Sequence, residues 1–189
     1  MSFSLAPALL LSMPQLIDPH FRRAVVLLCK HSEGGAFGLI VNRPLLTTGR
    51  VVVESAAEHV DPVVSAEREL LVWIGGPVEP QRSWILVKGD PDEDAAAGMR
   101  ITDGLYLSTA PDVLRRLLEP DPPPFSRLIV GYANWGPGQL EKELQESAWL
   151  LSDVDSDLVF STPPERMWEA SIRRLGADPD ALHGSKGVH

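Results

Sequence analysis

A chain of 189 residues, 44% hydrophobic and 23% charged, has the size and composition of a soluble domain that buries its own core without needing a disulfide or metal. Its formal net charge of −9 is the wrong sign for a surface built to meet nucleic acid phosphates, and the pairs Arg22–Arg23, Arg115–Arg116 and Arg173–Arg174 are too scattered to make a basic stripe. The single cysteine, Cys29, excludes an intrachain disulfide and suits a reducing, cytoplasmic setting.

No basic segment precedes the apolar run Ala8–Leu11, so the start does not read as a secretory signal, and the run is far too short to span a bilayer. Ala24–Cys29 is a β-branched, apolar strand; the loop His31–Gly35 and a second apolar run, Phe37–Val41, complete a hairpin. A weaker helical signal lies near Val53–His59. Leu70–Ile74 and Trp84–Val87 flank Gly75-Gly76-Pro77 and read as a second hairpin. The acidic segment Asp90–Gly98 is a solvated loop, and Leu105–Leu107 is a further strand.

A helix is expected from Pro111 to Leu118, with Pro111 in its first turn and Pro120 beyond its end. Pro120–Pro124 is a loop, and Leu128–Val130 is a buried strand. A second helix is expected from Pro137 to Leu151, because Leu140, Leu144, Ala148 and Leu151 recur on one face. Leu158–Phe160 reads as a last strand. A third helix starts after Thr162, carries Met167, Trp168, Ile172 and Leu175, and closes at Gly176. The tail after Asp178 is expected to be loosely attached. Hairpin-paired strands with helices mostly in the second half predict an α+β fold. Residues 1–189 would form a single domain, a mainly antiparallel sheet built from hairpins with three to four flanking helices.

Cys29 and His31 stand two apart on a predicted strand, where they share a face. An imidazole beside a thiol can favour the thiolate and make it a nucleophile; the alternative is a buried cysteine near a loop-edge histidine. The stretch Gly131–Gly138 reads as a glycine-rich corner between strand and helix that holds Tyr132, Asn134, Trp135 and Gln139. It lacks both phosphate-loop spacings, although backbone amides alone can bind an anion; the alternative is a sharp turn capped by an aromatic plug. Arg43, after Asn42, offers a guanidinium fork to a carboxylate or phosphate, or else pins its own loop. Arg82 poses the same choice beside the glycine turn.

Asp153, Asp155 and Asp157 imitate the start of a calcium loop, but Leu158 and Pro164 stand where glycine and glutamate belong. His20, His31, His59, His183 and His189 have no metal-ligand spacing, and neither C-x-x-C nor G-x-S-x-G occurs. No metal and no cofactor is expected.

Several motifs in order resemble the YqgE/AlgH family of bacterial proteins. They are Leu10-Leu11-Ser12-Met13-Pro14 with Asp18-Pro19 and Phe21, then Cys29, His31, Gly35-Ala36, Gly38-Leu39 and Asn42-Arg43-Pro44. Gly75-Gly76-Pro77-Val78 with Arg82 follows, then Gly131-Tyr132-Ala133, Trp135, Gly138-Gln139-Leu140-Glu141, Glu143-Leu144 and Ala148-Trp149. Asn134 stands where the family usually has glycine, and Val87 where a histidine often stands. The resemblance implies a single α+β domain and no particular reaction; members are often labelled transcriptional regulators.

Together these readings describe a cytoplasmic regulatory module that binds a small molecule or a protein. Its expected surface joins Asn42, Arg43, Gly76, Arg82, Tyr132, Asn134, Trp135 and Gln139 around one hollow. The rival reading is an enzyme with Cys29, His31 or Glu141 as reactive groups in a cleft by the Gly131–Gly138 corner. Direct DNA regulation is a third reading, which the acidic balance opposes. The sequence names neither the ligand nor the oligomeric state.

Overall fold

A computed structural model describes residues 3–50, 67–89, 98–117 and 125–183. The helical signal at Val53–His59, most of the Asp90–Gly98 loop and the Pro120–Pro124 loop lie outside them. The strands are β1 (Ala8–Ser12), β2 (Val25–Ser32), β3 (Gly35–Ile40), β4 (Pro44–Arg50), β5 (Glu67–Ile74), β6 (Val78–Lys88), β7 (Gly98–Thr102), β8 (Leu105–Ser108), β9 (Ser126–Trp135) and β10 (Trp149–Ser152). The helices are α1 (Pro111–Leu117), α2 (Gln139–Gln145), α3 (Ser156–Ser161), α4 (Pro164–Arg174) and α5 (Pro179–His183), with a 3-10 turn at Pro19–Phe21.

One ten-stranded sheet runs β10-β1-β2-β3-β9-β6-β8-β7, and a β4–β5 ribbon joins it through β5 on β9. Among the described residues every pairing is antiparallel except β5 with β9, which gives the expected α+β architecture. Five α-helices flank it among the described residues.

The expected β2–β3 hairpin forms, but its pairing runs from Val26 opposite Ile40 to Ser32 opposite Gly35, so His31, Ser32 and Gly35 are strand residues and the loop is shorter than expected. The second expected hairpin does not form. β5 and β6 lie on opposite edges of β9, β5 parallel and β6 antiparallel to it, so the Gly75-Gly76-Pro77 turn carries the chain across β9. The crossing is backbone against backbone. A Cβ on Gly76 would lie 2.2 Å from the Tyr132 carbonyl, and one on Gly131 would lie 2.4 Å from the Gly76 oxygen. Only glycine permits that approach.

Gly131 has a second effect. Its φ of 71° interrupts the alternation of β9. Ile129 and Tyr132 pack into one hydrophobic cluster, while Ala133 and Trp135 pack into another. The first cluster lies under α3, α4 and α5, through Val159, Met167, Ile172 and Leu182. The other face of the sheet is covered by α2 through Leu140 and by α1 through Leu114 and Leu117. Because both faces are covered, Leu9, Leu10 and Leu11 of β1 are all fully buried, and the period-2 signal that marks a half-exposed strand is lost.

Three elements differ from expectation. Leu158–Phe160 lies in α3 rather than in a strand, because Asp155 Oδ1 accepts from the Asp157 and Leu158 amides and caps a helix. The helix expected to reach Leu151 ends at Gln145; Ser147 turns at φ 58° and the chain returns as β10 beside β1. Trp149 is therefore a strand residue. The tail after Asp178 begins with α5, whose Leu182 packs on the core.

Candidate functional site

The glycine-rich corner is not a hollow. β9 continues through Asn134, an exposed strand residue paired with Phe37, to Trp135, and only Gly136-Pro137-Gly138 makes the turn. Trp135 is 3% exposed and packs edge-on against Trp149, with centroids 5.9 Å apart. Gln139 Oε1 accepts from the Gly136 amide at 3.0 Å, and its Nε2 donates to Glu143 Oε1 at 3.0 Å. The corner's own side chain thus takes an amide that an anion would need.

Tyr132 lies on the opposite face of the sheet from Trp135, as odd spacing along β9 requires, and the switch at Gly131 brings it to the face of Ile129. It joins Phe37 and Trp84, with ring centroids 5.3 and 6.1 Å away. Arg82 covers this group, its guanidinium 4.6 Å from the Trp84 ring and 3.6 Å from a Glu79 oxygen. The Tyr132 hydroxyl donates to Glu79 Oε2 at 2.5 Å, and this bond to a carboxylate raises the phenol pKa. Trp84 Nε1 is buried with no acceptor among the described residues.

Cys29 and His31 do not meet. The register of β2 shifts between Leu28 and Lys30, and the bulge turns the two side chains to opposite faces. Cys29 joins the cluster under α4, its thiol donates to the Leu27 carbonyl at 3.4 Å, and burial pushes it up to about 12. His31 faces α2, where Nε2 lies 2.6 Å from Glu141 Oε1 and Nδ1 accepts from the Leu5 amide at 3.1 Å. The Leu5 N–H fixes the tautomer: Nδ1 is the acceptor, so Nε2–H donates to the carboxylate. The basic nitrogen of this imidazole is already engaged. Glu141 is held below the usual carboxylate range, first by a backbone amide and then by His31.

Two of the three aspartates of the calcium-loop imitation serve structure. Asp155 caps the helix and pairs with Arg174 at 3.2 Å, while Asp157 pairs with Lys88. No group of three metal-ligating side chains occurs among the described residues.

Asn42 and Arg43 lie elsewhere, at the entrance to β4. Asn42 is buried; its Oδ1 accepts from the Val25 amide and its Nδ2 donates to the Arg23 carbonyl, both at 2.9 Å. It locks the start of β2. Arg43 is half-buried and donates to the Arg22 carbonyl. Burial lowers its pKa.

Around these residues two depressions adjoin. One, of about 590 Å³, is lined by Pro19, Arg22, Arg23, Asn42, Arg43, Pro44, Pro164 and Glu165. The other, of about 450 Å³, shares Pro19, Arg22 and Arg23 and is walled by Met13, Leu16, Ile17 and Trp168. Both volumes fall within the range of ligand pockets. Arg23 is spoken for, since it reaches Glu169 at 3.4 Å and lies over Trp168. Asp18 is tied to His20 at 2.8 Å. Among the described residues, neither Arg22 nor Arg43 has a carboxylate partner. The N-terminus of α4 also opens here, without a side-chain cap. Glu165 is the one carboxylate in the lining left without an ion pair among the described residues.

A family model described as AlgH-like matches residues 9–180. The chain belongs to the AlgH-like family. It is 40% identical over 187 residues to a UPF0301 protein of Myxococcus xanthus, covering 98% of this chain and 99% of that one. It is 38% identical over 196 residues to a UPF0301 protein of Paracoccus denitrificans, with 98% and 97% covered. The solution structure of AlgH from Pseudomonas aeruginosa superimposes with a TM-score of 0.68 at 30% identity, over 98% of this chain and 96% of that one. A crystal structure from Corynebacterium diphtheriae shares the fold, with a TM-score of 0.61 at 24% identity and 94% and 88% covered.

Within this AlgH-like chain, the proposed surface residues fall into three places: the tryptophan plug, the aromatic group under Arg82, and the arginine-lined groove. Gly76 serves the crossing of β9. Of the eight, only Asn42 and Arg43 line a described depression. Sequence reading missed Arg22 and Arg23 as neighbours of Arg43, and Trp168 as a wall of the adjoining depression. The available signal was Asp18-Pro19 closing a short turn just before the arginine pair. Nothing local shows that this turn, the β4 entrance and α4 converge.

Proposed function

We propose that the protein is a cytoplasmic, ligand-binding regulatory module whose receptor surface is the groove of Arg22 and Arg43, with an anionic group as its ligand. The observation that carries this reading is two guanidinium groups, neither in an ion pair among the described residues, at a concave site on a chain of net charge −9. A protein that is acidic elsewhere repels anions, so a concave cationic spot concentrates them. The bidentate fork of arginine suits carboxylate and phosphate oxygens, and the open end of α4 adds a favourable dipole. The fold around Cys29 and His31 supports binding over covalent chemistry, because the thiol is buried and the imidazole nitrogen is occupied. The acidic balance equally favours a small anion over DNA.

The test is an amide and arginine side-chain NMR titration with acetate and inorganic phosphate. Saturable shifts should centre on Arg22, Arg43 and the first turn of α4, and should vanish in the Arg22→Ala/Arg43→Ala double variant. Shifts absent from the groove, or unchanged in that variant, would refute it.

A further inference from the structure

The groove has two chemically different halves, and the ligand should match both. Resting on the anion-binding reading above, we propose that the protein takes an amphipathic anion: a carboxylate or phosphate head joined to an alkyl or aromatic body. The head lies between Arg22 and Arg43, and the body lies in the adjoining depression against Leu16, Ile17 and Trp168.

Three observations carry this. First, the depressions adjoin, with Pro19, Arg22 and Arg23 in both linings, so a head held at the shared arginines lies beside the space for the body. Second, the larger depression supplies Arg22, Arg43 and the uncapped N-terminus of α4, whereas the smaller adds Met13, Pro14, Leu16, Ile17 and Trp168. Third, Ile17 is 92% exposed at the rim, the highest exposure of any large hydrophobic side chain among the described residues. A large β-branched side chain held in water beside a pocket gains by covering an apolar ligand. Trp168 forms a rigid wall opposite the same space. Its Nε1 donates to the Ser12 carbonyl at 2.9 Å, and the ring is braced beneath Arg23.

A hydrophilic anion satisfies only the first half, and a neutral apolar molecule only the second. Asp18 and Glu165 flank the arginines and disfavour a diffuse polyanion, which would meet them as well. A compact head fits between them.

The experiment titrates the full chain with five probes: acetate, inorganic phosphate, octanoate, octyl phosphate and octylamine. Shifts at the Trp168 indole N–H and at the Arg22 and Arg43 side chains are followed by NMR. Each methylene withdrawn from water contributes roughly fourfold in affinity, so covering two or three makes octanoate on the order of 15- to 60-fold tighter than acetate. Octyl phosphate should exceed inorganic phosphate by a similar factor, and comparing the two octyl compounds decides which head is preferred. Octylamine should leave the arginines unmoved. In Ile17→Asn, octanoate should weaken severalfold while acetate is unchanged; this exposed site tolerates the change without loss of fold.

Equal affinity for acetate and octanoate would overturn the amphipathic assignment and leave the anion site standing. Octylamine binding as tightly as octanoate would also overturn it. If no anion moves the arginine resonances, both this inference and the reading beneath it fail.

Discussion

The indole N–H groups of Trp135 and Trp149 converge on one atom, Oε2 of Glu143, at 2.9 and 2.8 Å. Trp135 arrives on β9 and Trp149 on β10, strands with three others between them in the sheet. The carboxylate on α2 ties both ends of the sheet segment to the helix that covers it. Glu143→Ala leaves two poorly solvated N–H groups without an acceptor, and the expected loss is on the order of 2–5 kcal/mol. Glu143→Gln retains an acceptor oxygen and should lose less. Urea unfolding midpoints measure both, and an alanine variant within about 0.5 kcal/mol of the parent would show that the clamp adds no stability.

Gly76 and Gly138 make a paired test of why their two turns hold glycine. At Gly76 a Cβ meets the Tyr132 backbone at 2.2 Å, so Gly76→Ala must separate the turn from β9, at a cost of about 3 kcal/mol or more. Gly138 has φ 71° and open space around it, so Gly138→Ala carries only the left-handed backbone penalty of about 1–2 kcal/mol. Thermal unfolding should rank the variants in that order; the reverse order would contradict the crossing.

Glu141 has a folded-state pKa held below its ordinary value of 4.5. A carboxylate depressed in the folded state stabilises it above the unfolded pKa, and that contribution disappears as pH falls through the folded value. The parent should therefore lose stability faster than Glu141→Gln below about pH 4.5, and the two should run parallel above it. The melting temperature followed from about pH 3 to 7 gives the comparison. Curves that stay parallel throughout would mean that the contact with His31 contributes nothing.

Cys29 should resist iodoacetamide in the folded protein and react stoichiometrically in denaturant. The thiolate is the reactive species, and a thiol raised to about 12 supplies almost none of it near neutral pH. Native labelling at the rate of a free thiol would restore the enzyme reading.

Much of the candidate site was illegible because its residues act across long sequence distances. Asn42 and Arg43 were recognisable as polar residues after a buried strand. Their partners are the Val25 amide and the Arg22 and Arg23 carbonyls, and main-chain groups leave no mark in sequence. Arg127 is the extreme case. Just ahead of the Leu128–Val130 run, it is 9% exposed, lies 3.9 Å over the Trp73 ring, and donates to the Val41 and Phe160 carbonyls.

Local chemistry by itself determined the β2–β3 hairpin, the amphipathic face of α4 and the proline-led start of α1, because each depends on residues within a few positions. It also determined the family, since ordered motifs survive without knowledge of their contacts. Only the tertiary structure decided that β5 and β6 are held apart by β9, that Leu158 enters a helix, and that Trp149 enters a strand. A strand takes its partners from whichever backbone edge remains open, and that edge is created by distant chain. The same dependence separates Cys29 from His31: one extra residue in β2, set by its register on β3, turns side chains two apart toward opposite faces of the sheet.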